Sequence, residues 1–143
     1  MLFSQDRQDL RQVFFTSWKK HEDGAHLEPM EQIILNVIKE HPEYHKFFSD
    51  PENIDKDFLP ETGQVNPFLH LSMHIAIHEQ LTINQPIGIV DSYNQLRETI
   101  QDAHQAEHVM MDCLGEMIWS AQRENRAPNE NDYLECLNKA ILK

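Results

Sequence analysis

The sequence predicts an all-α fold, a helical bundle of four main helices with short additional ones, and three observations carry that expectation. Glycine supplies only 4 of 143 residues, under half its usual share of about 7%, so the tight turns of a sheet-rich fold are scarce. Apolar residues recur at three- and four-residue steps, the period of a helix with one buried face. Helix start signals stand before the periodic stretches: Pro29, Asn66-Pro67 and Asn129. One domain, residues 1–143, is expected at this length.

Leu10, Val13, Phe14 and Trp18 set a first helix from Ser4 to Glu22, with Gly24 as its stop. Pro29 opens the second, where its missing N–H costs nothing; Met30, Ile33, Ile34, Val37 and Ile38 form its stripe, and Pro42 ends it near His41. A short third helix is expected over Glu43 to Phe48. Asp50-Pro51 and Leu59-Pro60 then bracket a stretch without clear period, of the length that often carries function. Asn66 as N-cap and Pro67 at the first turn start a histidine-bearing helix that runs to about Asn84. From Asp91 the pattern continues to about Glu124, with Ser92/Gln95 and Asp102/Gln105 as capping boxes and a break or kink near Asp102. Asn129 caps a last helix carrying Tyr133, Leu134, Leu137 and Ile141.

The formal net charge is −12. That disfavours nucleic acid and anionic membranes, both of which require a basic face. Asp6, Arg7 and Asp9 stand where a signal peptide needs a basic patch and an apolar run, so a cytoplasmic location is expected. In that reducing compartment Cys113 and Cys136 are expected as free thiols. No Gly-x-Gly-x-x-Gly, phosphate loop or Gly-x-Ser-x-Gly elbow occurs.

Histidine is the unusual residue. Nine in 143 positions should give about 0.5 pairs at i, i+4 by chance. The sequence holds His41/His45, His70/His74, His74/His78 and His104/His108. This spacing stacks two imidazoles on one helix face and lets both reach one ion. Taking about 100° per residue, His74 and His78 lie about 40° and 80° round from His70, flanked by Met73, Ile77, Leu71 and Ile75. On the later helix Glu107, His108, Met111, Gly115 and Ile118 fall within about 60° of His104, and Trp119 prolongs that face, whereas Cys113 and Glu116 lie away from it.

Inward pairs on two helices, one enclosing a carboxylate, suggest a transition-metal site of His70, His74, His104, Glu107 and His108. Imidazole with carboxylate suits Fe, Zn, Ni or Mn rather than Ca or Mg. Glu107 is read as ligand, orienting group or general base. Three protein ligands would leave a position for water or substrate, and a full set would close the site. His41 and His45 are further candidates, although Pro42 interrupts their helix; Glu31 is read as a solvated flank, and His21 and His26 as surface residues. The rival is a metal-free acidic module that docks a basic protein partner, its histidines and Glu107 forming a buried polar network. A third reading is a hydrolase or oxidoreductase with the Asp50–Val65 stretch as lid.

The segments His41-Pro-Glu-Tyr-His45, Asn66-Pro-Phe-Leu-His70 with His74, Ala103 to Glu116 and Tyr133-Leu-Glu-Cys136-Leu resemble an uncharacterised proteobacterial family, catalogued only as a domain of unknown function. The resemblance runs over nearly the whole chain from Phe3. It implies a shared fold and lends no activity. The family pattern is associated with Arg where His78 stands, so the resemblance does not carry His78 into the ligand set. Hemerythrin-like bundles are similar in layout alone.

Overall fold

The structure, a computed structural model, describes residues 7–58 and 65–142. Among these every regular element is helical. The α-helices are α1 (Arg7–Asp23), α2 (Pro29–Lys39), α3 (His45–Phe48), α4 (Pro67–Ile83), α5 (Ile89–Thr99), α6 (Ala103–Arg123) and α7 (Glu130–Ile141), with 3₁₀ turns at Pro42–Tyr44 and Pro51–Asp55. The all-α expectation with short additional helices holds. None of the described helices is long and apolar enough to cross a membrane. The chain divides into two compact units, Met1–Ile75 and Ala76–Lys143, with α4 running through the division.

In the first unit α1 packs on α2, and both cover an aromatic centre. Phe14, Phe15, Trp18, Ile34, Leu35, Val37, Ile38, Phe48, Phe68, Leu71 and Ile75 are buried together. Phe14 stacks on Phe48 at 5.9 Å between ring centroids and meets Phe68 edge-on at 5.8 Å. Each such side chain contributes about 1.5–3 kcal/mol by leaving water. Arg11 lies inside this unit, 4% exposed, because its charge is satisfied: it donates to the carbonyls of Ile54 (2.8 Å) and Lys56 (3.0 Å), and its guanidinium lies 4.4 Å from the Phe68 ring centre. It thereby pins the second 3₁₀ turn to α1. Gly24 ends α1 at φ +69°, a conformation in which a Cβ would be strained, while Ala25 donates back to the Lys20 carbonyl.

In the second unit α7 packs on α5 and α6. Ile77, Ile89, Leu96, Ala106, Met110, Leu114, Ala121, Tyr133 and Leu137 are buried there. The Tyr133 hydroxyl donates to Gln80 Oε1 at 2.9 Å, and burial pushes its pKa up, so the phenol stays protonated in its pocket.

Several start signals act as N-caps. Asn66 accepts from the N–H groups of Phe68 and Leu69, Asp102 from those of His104 and Gln105, and Asn129 from that of Asn131. The break near Asp102 is complete and separates α5 from α6. Other expectations are corrected. The α5 helix starts at Ile89 after Gly88, whose φ of +99° sets the entry, so the Ser92/Gln95 box does not form and Ser92 is buried mid-helix. The second helix ends at Lys39, near the expected His41, and the expected short third helix forms as a 3₁₀ turn followed by a single α-turn, because Pro42 cannot continue the ladder. Glu31 is held by Lys20 at 2.8 Å and by the Glu28 N–H at 2.8 Å, and the Lys20 ammonium keeps its carboxyl below the usual range. The Ser4 start and the Leu59-Pro60 bracket lie outside the described residues, as does part of the stretch read as a lid.

Candidate metal centre

In the first unit the histidines come from two places. His70 and His74 stand one turn apart on α4, and His41 follows the last turn of α2. His41 continues the stripe of Ile34, Val37 and Ile38, which carries it to zero exposure beside His74, also at zero. The His41 Nδ1 lies 2.7 Å from the Val37 carbonyl, which can only accept, so Nδ1 carries a proton and in the neutral ring Nε2 holds the lone pair. That nitrogen lies 3.1 Å from His74 Nε2, which lies 3.3 Å from His70 Nε2. The three Nε2 atoms thus form a chain through His74.

Their chemistry is tightly constrained. Without an ion, a proton on any of these Nε2 atoms makes that nitrogen a donor, which cannot then accept there. Around an ion, three bare nitrogens is the required state. Two nitrogens held at about 2.0–2.1 Å by a tetrahedral metal lie roughly 3.3–3.4 Å apart, close to the spacing seen. Tyr44 closes the site on one side, its ring stacked on His41 at 5.7 Å and edge-on to His70 at 5.8 Å; burial, then Glu43, raises its pKa, so it stays a neutral wall.

His45 is not part of this group. Its Nε2 donates to the Ile38 carbonyl at 2.9 Å, and its ring lies 4.5 Å from Trp18, which itself donates to Ser49 Oγ. The i, i+4 spacing of His41 and His45 has no helix to act through, since Pro42 intervenes.

In the second unit His104 and His108 form a stacked pair on α6, rings 4.4 Å apart, each with a ligand atom within 4.8 Å of the other's. Both are half-buried. Glu107, 7% exposed, holds His78 Nε2 at 2.6 Å from its Oε1. A carboxylate so engaged either orients the imidazole or leaves it to bind a cation. The buried face of α6 runs through Ala106, Glu107, Met110 and Leu114 rather than centring on His104. Trp119 correspondingly is 55% exposed, its ring under the Arg123 guanidinium at 4.3 Å, which corrects its placement on the core face.

The free-thiol expectation is also corrected: Cys113 on α6 and Cys136 on α7 are joined as a disulfide, Cα atoms 5.6 Å apart. Helix periodicity could place Cys113 away from the histidines, but nothing local told that α7 would bring Cys136 to that side.

The fold and these side chains define an all-α protein with histidine and glutamate groupings that could hold a metal ion. The chain belongs to the family described as Domain of unknown function (DUF1841), which matches residues 6–139. No curated protein and no solved structure matches it.

Of the residues read from sequence, the structure groups His70 with His74, and His104 with His108, and it engages Glu107. The residue that sequence reasoning undervalued is His41. Its signal was the phase of the α2 stripe, not its pairing with His45.

Proposed function

We propose that this is a small metal-binding helical protein whose ion is iron, zinc, nickel or manganese. In the first unit His70 and His74 are the ligands, joined by His41. In the second, the His104 and His108 pair offers ligands and Glu107 acts as ligand or as the carboxylate that orients a neighbouring imidazole. The observation that supports this reading most is the close approach of His74 Nε2 to the Nε2 atoms of His41 and His70, at 3.1 and 3.3 Å, with a His41 proton held on its other nitrogen by Val37. His41 and His74 are buried and His70 is half-buried beside them, and imidazoles held this close on one helix and its neighbour could serve a common ion.

A second reading is a metal-free acidic module with a buried His/Glu network that docks a basic protein. The 2.6 Å contact of His78 with Glu107 favours it, because that pair is satisfied without any ion. Elemental analysis of protein purified without an affinity tag after growth in metal-replete medium separates the two. The metal reading expects at least about one transition-metal equivalent per chain, and content below about 0.1 per chain would overturn it as a tight site.

A further inference from the structure

We propose that the Cys113–Cys136 pair is a reversible two-electron thiol–disulfide site whose acidic surroundings select a cationic thiol, in the cell a protein dithiol presented on a basic surface. The proposal is independent of the metal reading.

The pair stands at a groove between α6 and α7, with a cavity of about 500 Å³ lined by both cysteines. The two sulfurs differ in access: Cys113 is 3% exposed, whereas Cys136 is half-buried beside the groove. Attack by a thiolate therefore falls on Cys136 Sγ and expels the Cys113 sulfur as thiolate, which takes up a proton. The second thiol of the dithiol then breaks the mixed disulfide. The partner ends as a disulfide, and two electrons and two protons have passed to the cysteines.

The groove determines which thiolate arrives. Asp112, Glu116, Asp132 and Glu135 line it, against Lys139. Arg126 offsets Asp132 at 3.3 Å, and the remaining carboxylates still exceed the cations. Glu116 Oε2 lies 3.9 Å from Cys136 Sγ, so a negative charge sits beside the attacked sulfur. An anionic thiol is repelled along the approach, while a thiol carried with positive charge is drawn in. Because the carboxylates are exposed, the discrimination is screened by salt.

The test uses the full chain, reduced and then treated with diamide. Thiol titration in denaturant is expected to fall from two per chain to none, with the protein unchanged in size. Retained thiols, or disulfide-linked dimers in their place, overturn the proposal. The oxidised chain is then reduced with cysteamine, 2-mercaptoethanol and 3-mercaptopropionate. Rates per thiolate are divided by those with a small neutral disulfide, which removes intrinsic nucleophilicity. The expected order is cationic, neutral, anionic, with a spread on the order of tenfold at low salt that shrinks to about threefold or less in 1 M salt. Glu116→Gln is expected to narrow the spread. Rates that ignore thiol charge overturn the selection, and so does an unchanged spread in Glu116→Gln.

Discussion

Replacing His74 by alanine is expected to lower metal affinity by more than about 100-fold, beyond the 10–100-fold typical of a group that merely orients a ligand. His74 is the middle nitrogen of the first unit's group, in contact with both His41 and His70. His108→Ala is expected to cause a comparable loss through the second unit's pair. His26→Ala, at an exposed position, and His45→Ala, whose ring faces Trp18, should stay within about threefold of the parent. Isothermal titration of metal-free protein with zinc measures all four, with circular dichroism confirming that each remains helical. Equal affinity in His74→Ala, His108→Ala and His26→Ala would place any metal elsewhere. A loss in His45→Ala matching that of His74→Ala would show that the His41/His45 pairing, rather than the α2 stripe, was the true signal.

Phe14→Ala is expected to destabilise the protein by about 3–5 kcal/mol, a large share of the roughly 5–15 kcal/mol that a domain possesses. The ring is fully buried and packs against both Phe48 and Phe68, which are themselves fixed from different stretches of chain. Removal leaves a cavity that those rings cannot fill without leaving their own contacts. Urea unfolding should show a lower midpoint at unchanged slope, and the melting temperature should fall by roughly 10–20 °C. A loss under about 1 kcal/mol would mean that the aromatic centre is loosely packed or readily rebuilt.

Much of the helical architecture was legible because the relevant chemistry is local. Asn66-Pro67, Asp102 and Asn129 satisfy the backbone of the next turn with their own side chains, so sequence neighbours suffice to find them. Gly88 escaped notice because its positive φ is imposed by the chain on either side and carries no periodic signal. The α6 wheel was off by about a quarter turn for a related reason. Apolar and small residues lie on several sides of that helix, and only the arrival of α7 decides that Cys113, Leu114 and Ala121 are covered while Trp119 is not. The disulfide is hidden from sequence in the same way: residues 23 apart meet through tertiary packing, and the compartment argument pointed to free thiols.

The candidate site divides along the same line. The i, i+4 rule recovered His70 with His74 and His104 with His108, where an intact helix carries both rings. The His41/His45 pair is the one that Pro42 put in question, and the helix does stop between them. The rule also gave Glu107 without its partner, since the 2.6 Å contact with His78 joins α4 to α6 and has no sequence spacing to announce it.

The central claim is that a transition metal is bound within the folded protein by its histidines, and chelator-dependent melting at two pH values tests it most directly. Binding to the folded state alone adds about 2.7 kcal/mol at 100-fold excess over Kd. Imidazole binds only when neutral, so protons displace the ion between roughly pH 7 and 5. On protein shown to contain metal beforehand and to have lost it afterwards, a chelator should lower the melting temperature at pH 7.5 by roughly 5–15 °C. At pH 5.5, where the metal has already left, that difference should shrink toward zero. Superimposable curves with and without chelator at pH 7.5 would contradict the claim, leaving acid-dependent melting alone as the mark of a polar histidine core.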